Sequence, residues 1–275
     1  MSRRPPLGQH FLRDPKLLTQ IVDALEPAPG DVVLEIGAGP GALTVVLAPR
    51  VQRVIAIERD RGLANDCGLR IADCGFRNVD IVAGDALKLN WHSLIEARPA
   101  NPQSAIANPQ CKVVGNIPYA ITSPLIDKAL TPPLPERIVF LVQREVGDRL
   151  AARPGSRAYG ALSVGVQASC RVERLFGVPA GAFHPAPRVA SALVRLTPRP
   201  DPLVAPAELR AFRAFVTACF TRRRKQLRNV VIAATGRPAP AVLAGLAQLG
   251  LDPAARPETL APEQFVRLLR WGRGL

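Results

Sequence analysis

Residues 31–58, DVVLEIGAGPGALTVVLAPRVQRVIAIE, constrain the fold more than any other stretch of the chain. The apolar run 31–37 ends in glycine. Gly37, Gly39 and Gly41 then lead into a helix-forming segment that Pro49 helps to end, and a second apolar run, 52–58, closes on the acid Glu58. Short apolar runs bounded by turn signals read as buried strands. Two strands joined through a helix lie parallel in one sheet. The same rhythm continues with a helix over 59–75, strands within 79–87 and 111–119, a short helix over 123–132, and a segment 136–150 that begins as a strand and ends as a helix. This alternation predicts an α/β, Rossmann-like doubly wound parallel sheet.

Two stretches interrupt it. Residues 98–111, RPANPQSAIANPQC, read as a Pro/Asn-rich loop, and residues 197–206, TPRPDPLVAP, with four prolines, read as a linker. Beyond the linker only helical periodicity is visible. The expected domains are therefore residues 1–200, carrying the sheet, and a small all-α C-terminal domain, residues 201–275.

Hydrophobic residues make up 48% of the 275, enough for a sizeable core. No apolar run approaches the roughly 18 residues of a membrane span, and no secretory signal is read at the N-terminus. Cys67, Cys74, Cys111, Cys170 and Cys219 are odd in number and show no C-x-x-C spacing, which fits reduced thiols of a cytoplasmic protein better than a disulfide framework or a zinc site. His10, His92 and His184 are too scattered for a metal site.

Charge is strongly uneven. Residues 1–150 hold 17 Lys/Arg and 16 Asp/Glu, a balance of +1, whereas residues 151–275 hold 19 and 6, a balance of +13. A half so basic faces an anionic partner, and nucleic acid is expected. Arg222, Arg223, Arg224, Lys225 and Arg228 are the densest cluster. They read as phosphate contacts on RNA or as a solvated helix face.

Residues 37–42 fit G-x-G-x-x-A, with Glu58 at the distance where a carboxylate binds a ribose hydroxyl. NAD and S-adenosylmethionine both satisfy this pattern. Asp85, in GDAL, can accept from an adenine amine or cap a helix. The stretch GNIPY raises a different chemistry. Adenine's exocyclic amine is a poor nucleophile because its lone pair is delocalised. The Asn116 side-chain oxygen and the Ile117 carbonyl can hold its two N–H groups and localise that pair. Pro118 has no N–H and a fixed φ, which keeps the preceding carbonyl free and aimed, and Tyr119 can stack on the base. An ordinary turn also uses Asn and Pro. Phe183, ahead of Pro185 and Pro187, can cover the base's other face or pack in the core.

Taken in order, LGQHFL (7–12), EIGAGPGALT (35–44), IERD (57–60), GDAL (84–87), GNIPY (115–119), LVQREVGDRL (141–150), RAYGALSV (157–164), FHPAPRVASALVRL (183–196) and RRRKQLRN (222–229) resemble the small-subunit rRNA adenine dimethyltransferases. The resemblance implies an S-adenosylmethionine-dependent enzyme that dimethylates the exocyclic amines of two adjacent adenines near the 3′ end of 16S rRNA in the immature small ribosomal subunit, a monomer with no membrane partner. It implies cofactor contacts at His10, Leu12, Gly37, Gly39, Glu58, Asp85 and Asn116. It also implies that Asn116, Ile117, Pro118, Tyr119 and Phe183 act at the base, with Tyr119 and Phe183 bracketing it. The family usually has Asn where this chain has His10, and many close relatives have Leu in place of Ile117. The alternatives are a large-subunit rRNA adenine methylase of the macrolide-resistance type and a non-catalytic assembly or transcription factor on the same fold. RAYGALSV and the basic C-terminal helices fit the small-subunit enzymes better than the large-subunit ones.

Overall fold

The computed structural model describes residues 9–97 and 111–274. They form β1 (Phe11–Leu12), α1 (Pro15–Leu25), β2 (Val32–Ile36), α2 (Ala42–Leu47), β3 (Arg53–Glu58), α3 (Arg61–Asp73), β4 (Val79–Ala83), α4 (Trp91–Glu96), β5 (Cys111–Asn116), α5 (Thr122–Ala129), β6 (Arg137–Gln143), α6 (Arg144–Leu150), α7 (Ala161–Gln167), β7 (Cys170–Val178), β8 (Phe183–His184), β9 (Ser191–Pro198), α8 (Leu209–Thr221), α9 (Leu227–Thr235), α10 (Ala239–Gln248) and α11 (Pro262–Arg273). Of the loop expected at 98–111, Cys111 opens β5 and the rest lies outside the described residues.

The main sheet has the order β4-β3-β2-β5-β6-β9-β7. The five strands expected from the apolar runs, β2 to β6, pair in parallel. β9 differs from the all-parallel expectation: it runs antiparallel to β6, with Phe140 opposite Val194. Strand order reverses at β2, which has β3 on one side and β5 on the other. Ligands bind parallel sheets at the carboxyl ends of the strands beside such a switch point. β2 and β5 end there at Ile36 and Asn116, just before the glycine turn and Ile117-Pro118-Tyr119.

Val33, Val54, Ala56, Val114, Val139, Leu141 and Leu193 share one buried cluster with residues of α1, α2 and α3. Their neighbours along the strands, Leu34, Ile55, Val113, Ile138 and Phe140, point the opposite way and are just as buried. Both faces of the sheet are therefore covered, which explains the near-continuous apolar runs.

The chain divides into two compact units, residues 1–147 with 173–198, and residues 148–172 with 199–275. The last seam lies within two residues of the expected boundary at 200. Residues 148–172, expected with the sheet, instead belong to the helical unit. Tyr159, Val164 and Ala168 are buried with Phe212, Phe215 and Phe265 in one cluster, and the Tyr159 hydroxyl donates to the Leu260 carbonyl at 2.8 Å. Among the described residues, no single helix is long and apolar enough to cross a membrane.

Replacing a helix-interior glycine by alanine usually stabilises a protein by about 0.5–1 kcal/mol. Gly245 in α10 should do the reverse, because a Cβ there would collide with the Trp271 indole of α11. Overpacking costs about 1–3 kcal/mol. Gly245→Ala is expected to lower the thermal midpoint in calorimetry, and a raised midpoint would contradict this packing.

Candidate active site

The glycine turn is fastened to the strand beside it. The Gly37 N–H donates to the Ile57 carbonyl at 2.8 Å. Gly37, Gly39 and Gly41 all have positive φ, 74°, 55° and 80°, in the left-handed region that favours glycine. Gly39 has a second reason to lack a side chain: a Cβ there would meet the Phe11 ring at 3.0 Å. Its N–H donates to Glu58 Oε2 at 2.8 Å, and the Asp60 N–H donates to Oε1 at 2.9 Å. Glu58 is 4% exposed and ends β3. Each of its oxygens retains a lone pair for a ligand hydroxyl.

After β4, Asp85 Oδ1 accepts from the Leu87 N–H at 3.0 Å. Asp85 therefore holds its own turn with one oxygen and borders the pocket as well. Lys128 on α5 clamps this turn by donating to the Leu87 and Leu89 carbonyls at 2.8 and 2.5 Å, with its ammonium 5.5 Å from the Trp91 ring centroid. Burial pushes the Lys128 pKa down, opposed by the charge of Asp85.

At the end of β5, Asn116 Nδ2 donates to the His10 backbone carbonyl at 2.7 Å. The amide oxygen is left as its acceptor. Ile117 is buried, with its N–H bonded to the Leu141 carbonyl at 3.1 Å. Pro118 lets the chain enter a 3-10 turn over Tyr119–Ile121. The Tyr119 hydroxyl and the buried Ser191 Oγ share a hydrogen bond of 2.8 Å. Burial pushes the Tyr119 pKa up, opposed by that bond, so the phenol stays neutral near pH 7.

One pocket brings these groups together. Its lining includes His10, Gly37, Gly39, Glu58, Asp85, Asn116, Ile117, Pro118 and Tyr119, all expected from sequence. Gln9, Phe11 and Arg59 also line it and were not expected. Lys128 and Ser191 act from behind the lining. Nothing in the sequence pattern singles them out, because each takes its role from a partner 41 or 72 residues away. Two expected residues do not line the pocket. Leu12 and Phe183 are each 5% exposed and belong to the core cluster. The pairing of β1 with β8 places them opposite one another, and along β8 it is His184, not Phe183, that is exposed. Leu12 borders a smaller neighbouring hollow.

Arg222, Arg223, Arg224 and Lys225 form the turn between α8 and α9, and Arg228 stands in the first turn of α9. Arg223 is tied down by an ion pair to Glu258 and by a bond to the Arg157 carbonyl at 3.1 Å. Arg222, Arg224, Lys225 and Arg228 are exposed and form no ion pair among the described residues.

The chain's relatives agree in kind. A family model described as "Ribosomal RNA adenine dimethylase" matches residues 1–271. A protein of Nitratidesulfovibrio vulgaris named "Ribosomal RNA small subunit methyltransferase A" is 42% identical over 264 residues, 95% of this chain and 93% of that protein. A protein of the same name from Synechococcus elongatus is 41% identical over 276 residues, 98% of this chain and 94% of that one. Among solved structures, a dimethyladenosine transferase from Plasmodium falciparum superposes with a TM-score of 0.81 at 27% identity, covering 94% of this chain and 96% of that one. The 23S rRNA methyltransferase ErmE superposes with a TM-score of 0.70 at 30% identity, covering 94% and 98%.

Beneath the glycine turn lies a group that titrates near neutrality. Glu35 is 1% exposed, and its Oε2 accepts from the Thr44 hydroxyl at 2.7 Å. Burial pushes its carboxyl from the ordinary 4.5 up to about 7, opposed by the Thr44 bond and helped by the charge of Glu58. Between those pH values the folded chain keeps a proton that the unfolded chain has released, so this contribution to stability is lost as pH rises through that window. Glu35→Gln removes the titration. From pH 4.5 to pH 7 the variant should gain on the wild type by up to about 3 kcal/mol, at about 1.4 kcal/mol per pKa unit. Denaturant midpoints across that range check this, and a constant difference between the two proteins would rule it out.

Proposed function

The chain belongs to the ribosomal RNA adenine dimethylases, whose family model matches residues 1–271, and from that premise we propose that it dimethylates the exocyclic amines of two adjacent adenines near the 3′ end of 16S rRNA in the maturing small subunit. Family and fold together imply S-adenosylmethionine as donor. The observation that carries the reading is Asn116 at the switch point, with its amide nitrogen engaged by the His10 carbonyl and its oxygen left to accept. Relatives at 41–42% identity named for the small subunit favour that RNA over the large-subunit alternative.

The pocket fits the cofactor by the chemistry of its donor set. Glu58 can accept from the ribose hydroxyls, Asp85 can accept from the adenine amine, and the side-chain-free surface of Gly37 and Gly39 admits a ligand close to the backbone. When bound, S-adenosylmethionine supplies a methyl already activated on a sulfonium. Alignment is then the main requirement on the protein. Asn116 Oδ1 and the Ile117 carbonyl accept the two N–H groups of the target amine and turn its lone pair outward. No described residue donates to the Ile117 carbonyl, and Pro118 cannot do so. Tyr119, held at its hydroxyl by Ser191, offers a flat neutral face to the base. The target adenine reaches these groups by leaving its stack. The basic turn Arg222–Lys225 and the start of α9 hold the RNA backbone, with Arg222, Arg224, Lys225 and Arg228 as the untied cations.

Asn116→Ala should slow single-turnover methyl transfer by about a hundredfold, the scale of losing one oriented polar contact to a reacting group, while changing RNA affinity far less. Equal losses in rate and affinity would reduce Asn116 to an RNA contact.

Replacing Arg222, Arg224 and Lys225 together by Ala should flatten the dependence of log affinity on log salt by about 0.7–0.9 for each phosphate contact removed. Affinity for S-adenosylhomocysteine should be unchanged. Binding to small-subunit particles across a salt series decides this, and an unchanged slope would mean that the turn is merely solvated.

A further inference from the structure

We propose that Lys128 is a positioning residue for the cofactor: by bracing the far end of the turn that carries Asp85, it aims that carboxylate at the adenine amine. This rests on the S-adenosylmethionine reading above. The turn follows β4, which lies at the edge of the main sheet, and none of the five residues of β4 is buried. Core packing therefore does little to fix what comes after the strand, and hydrogen bonds must do it.

The turn is held at both ends. At its start, the Gly84 N–H donates to the Glu58 carbonyl at 2.8 Å. The Asp85 carbonyl accepts from the Lys88 and Leu89 N–H groups at 2.8 and 3.1 Å. Asp85 Oδ1 takes the Leu87 N–H, which leaves Oδ2 for a ligand. At its far end, three carbonyls are taken by side chains. The Trp91 indole donates to that of Ala86 at 2.8 Å, and the Lys128 ammonium donates to those of Leu87 and Leu89. Trp91 belongs to the same segment, whereas Lys128 comes from α5, 39 to 41 positions later. α5 is a firm anchor, because Leu125, Ile126 and Ala129 are buried. Burial makes the ammonium costly, and it forms no ion pair among the described residues. The two carbonyls, the Trp91 face and the charge of Asp85 offset that cost. A hydrogen bond weakens steeply as its angle opens. Without the brace, Asp85 would stay beside the pocket but be poorly aimed.

Two ligands read that aim. One is S-adenosylhomocysteine, and the other is its analogue with hydrogen in place of the adenine amine. Calorimetry on the full chain gives the ratio of their dissociation constants, which is the preference for the amine. The wild type should show a preference of about tenfold, the scale of one charge-assisted hydrogen bond. Lys128→Met keeps the apolar stem and loses both donors. It should cut the preference to about twofold by weakening S-adenosylhomocysteine, with the analogue bound within about twofold of wild type. Lys128→Arg, which keeps charged donors for the carbonyls, should restore most of the preference. In steady-state methylation of small subunits lacking dimethyladenine, Lys128→Met should raise KM for S-adenosylmethionine and leave kcat within about twofold. Equal weakening of both ligands would overturn the proposal, since Lys128 would then only support the fold. A wild-type preference in Lys128→Met would overturn it too. If Lys128→Met does not fold, Lys128→Gln takes its place with the same expected fall in preference. Asp85→Ala tests the underlying reading separately. It should abolish the preference, and if it does not, the adenine role of Asp85 falls and the proposal with it. A loss confined to the Lys128 variants' predictions strikes the proposal alone.

Discussion

Of the hydrogen bonds that join the ends of β2 and β3, the pocket depends most on that from the Gly39 N–H to Glu58 Oε2. A carboxylate that is 4% exposed must be satisfied by neighbours or it becomes costly. Here the donors are main-chain N–H groups of two successive turns, Gly39 after β2 and Asp60 after β3. Because the acid serves both turns, neither can shift without stranding it. The positive φ at Gly39 and its contact with the Phe11 ring follow from bringing the backbone close enough to make this bond. The opening of the pocket is thus defined by backbone geometry, and side chains are added to a frame already fixed.

The second half of the site is built on a different principle. Asn116, Tyr119 and His10 are each held by a partner distant in sequence: the His10 carbonyl, Ser191 Oγ and the Pro185 carbonyl. Each keeps one group engaged with protein and leaves another for a ligand. Asn116 gives up its nitrogen and keeps its oxygen, while Tyr119 gives up its hydroxyl and keeps its ring face. Such division of one side chain between structure and chemistry keeps a reacting constellation rigid.

What the sequence made legible follows from range. β2, the glycine turn and β3 carry their signal within thirty consecutive residues, and a sheet buried on both faces writes itself as apolar runs. β7 carries no such signal. CRVERLFGV mixes charges with apolar residues, and of its nine positions only Cys170 and Val178 are buried. Tyr159 shows why the unit boundary was missed: its partners Phe220, Phe265 and Leu260 come 61 to 106 positions later, and helical periodicity says which face is apolar, not what covers it. Phe183 is buried away from the pocket lining for a related reason. The motif fixes the residue but not the strand pairing, and it is the pairing with Leu12 that turns the ring inward. Glu58, Asp85 and Asn116, where the chemistry asks for a residue type, do come together on the wall of one pocket. Lys128 was invisible because a lysine donating to two carbonyls looks, in sequence, like any lysine on a helix.

The bond between His10 and Pro185 spans 175 positions, and this separation has a temporal consequence. In a chain synthesised at about 5–20 residues per second, residue 185 is made roughly 9–35 s after the tenth residue. Through that interval the glycine turn and Glu58 can already be in place, since every contact between them is short in range. His10 and Asn116 can meet earlier, but neither β1 nor the imidazole can be anchored. The nascent chain can therefore close the glycine turn well before it can anchor β1 and the imidazole, which wait until about two-thirds of the 275 residues have been made.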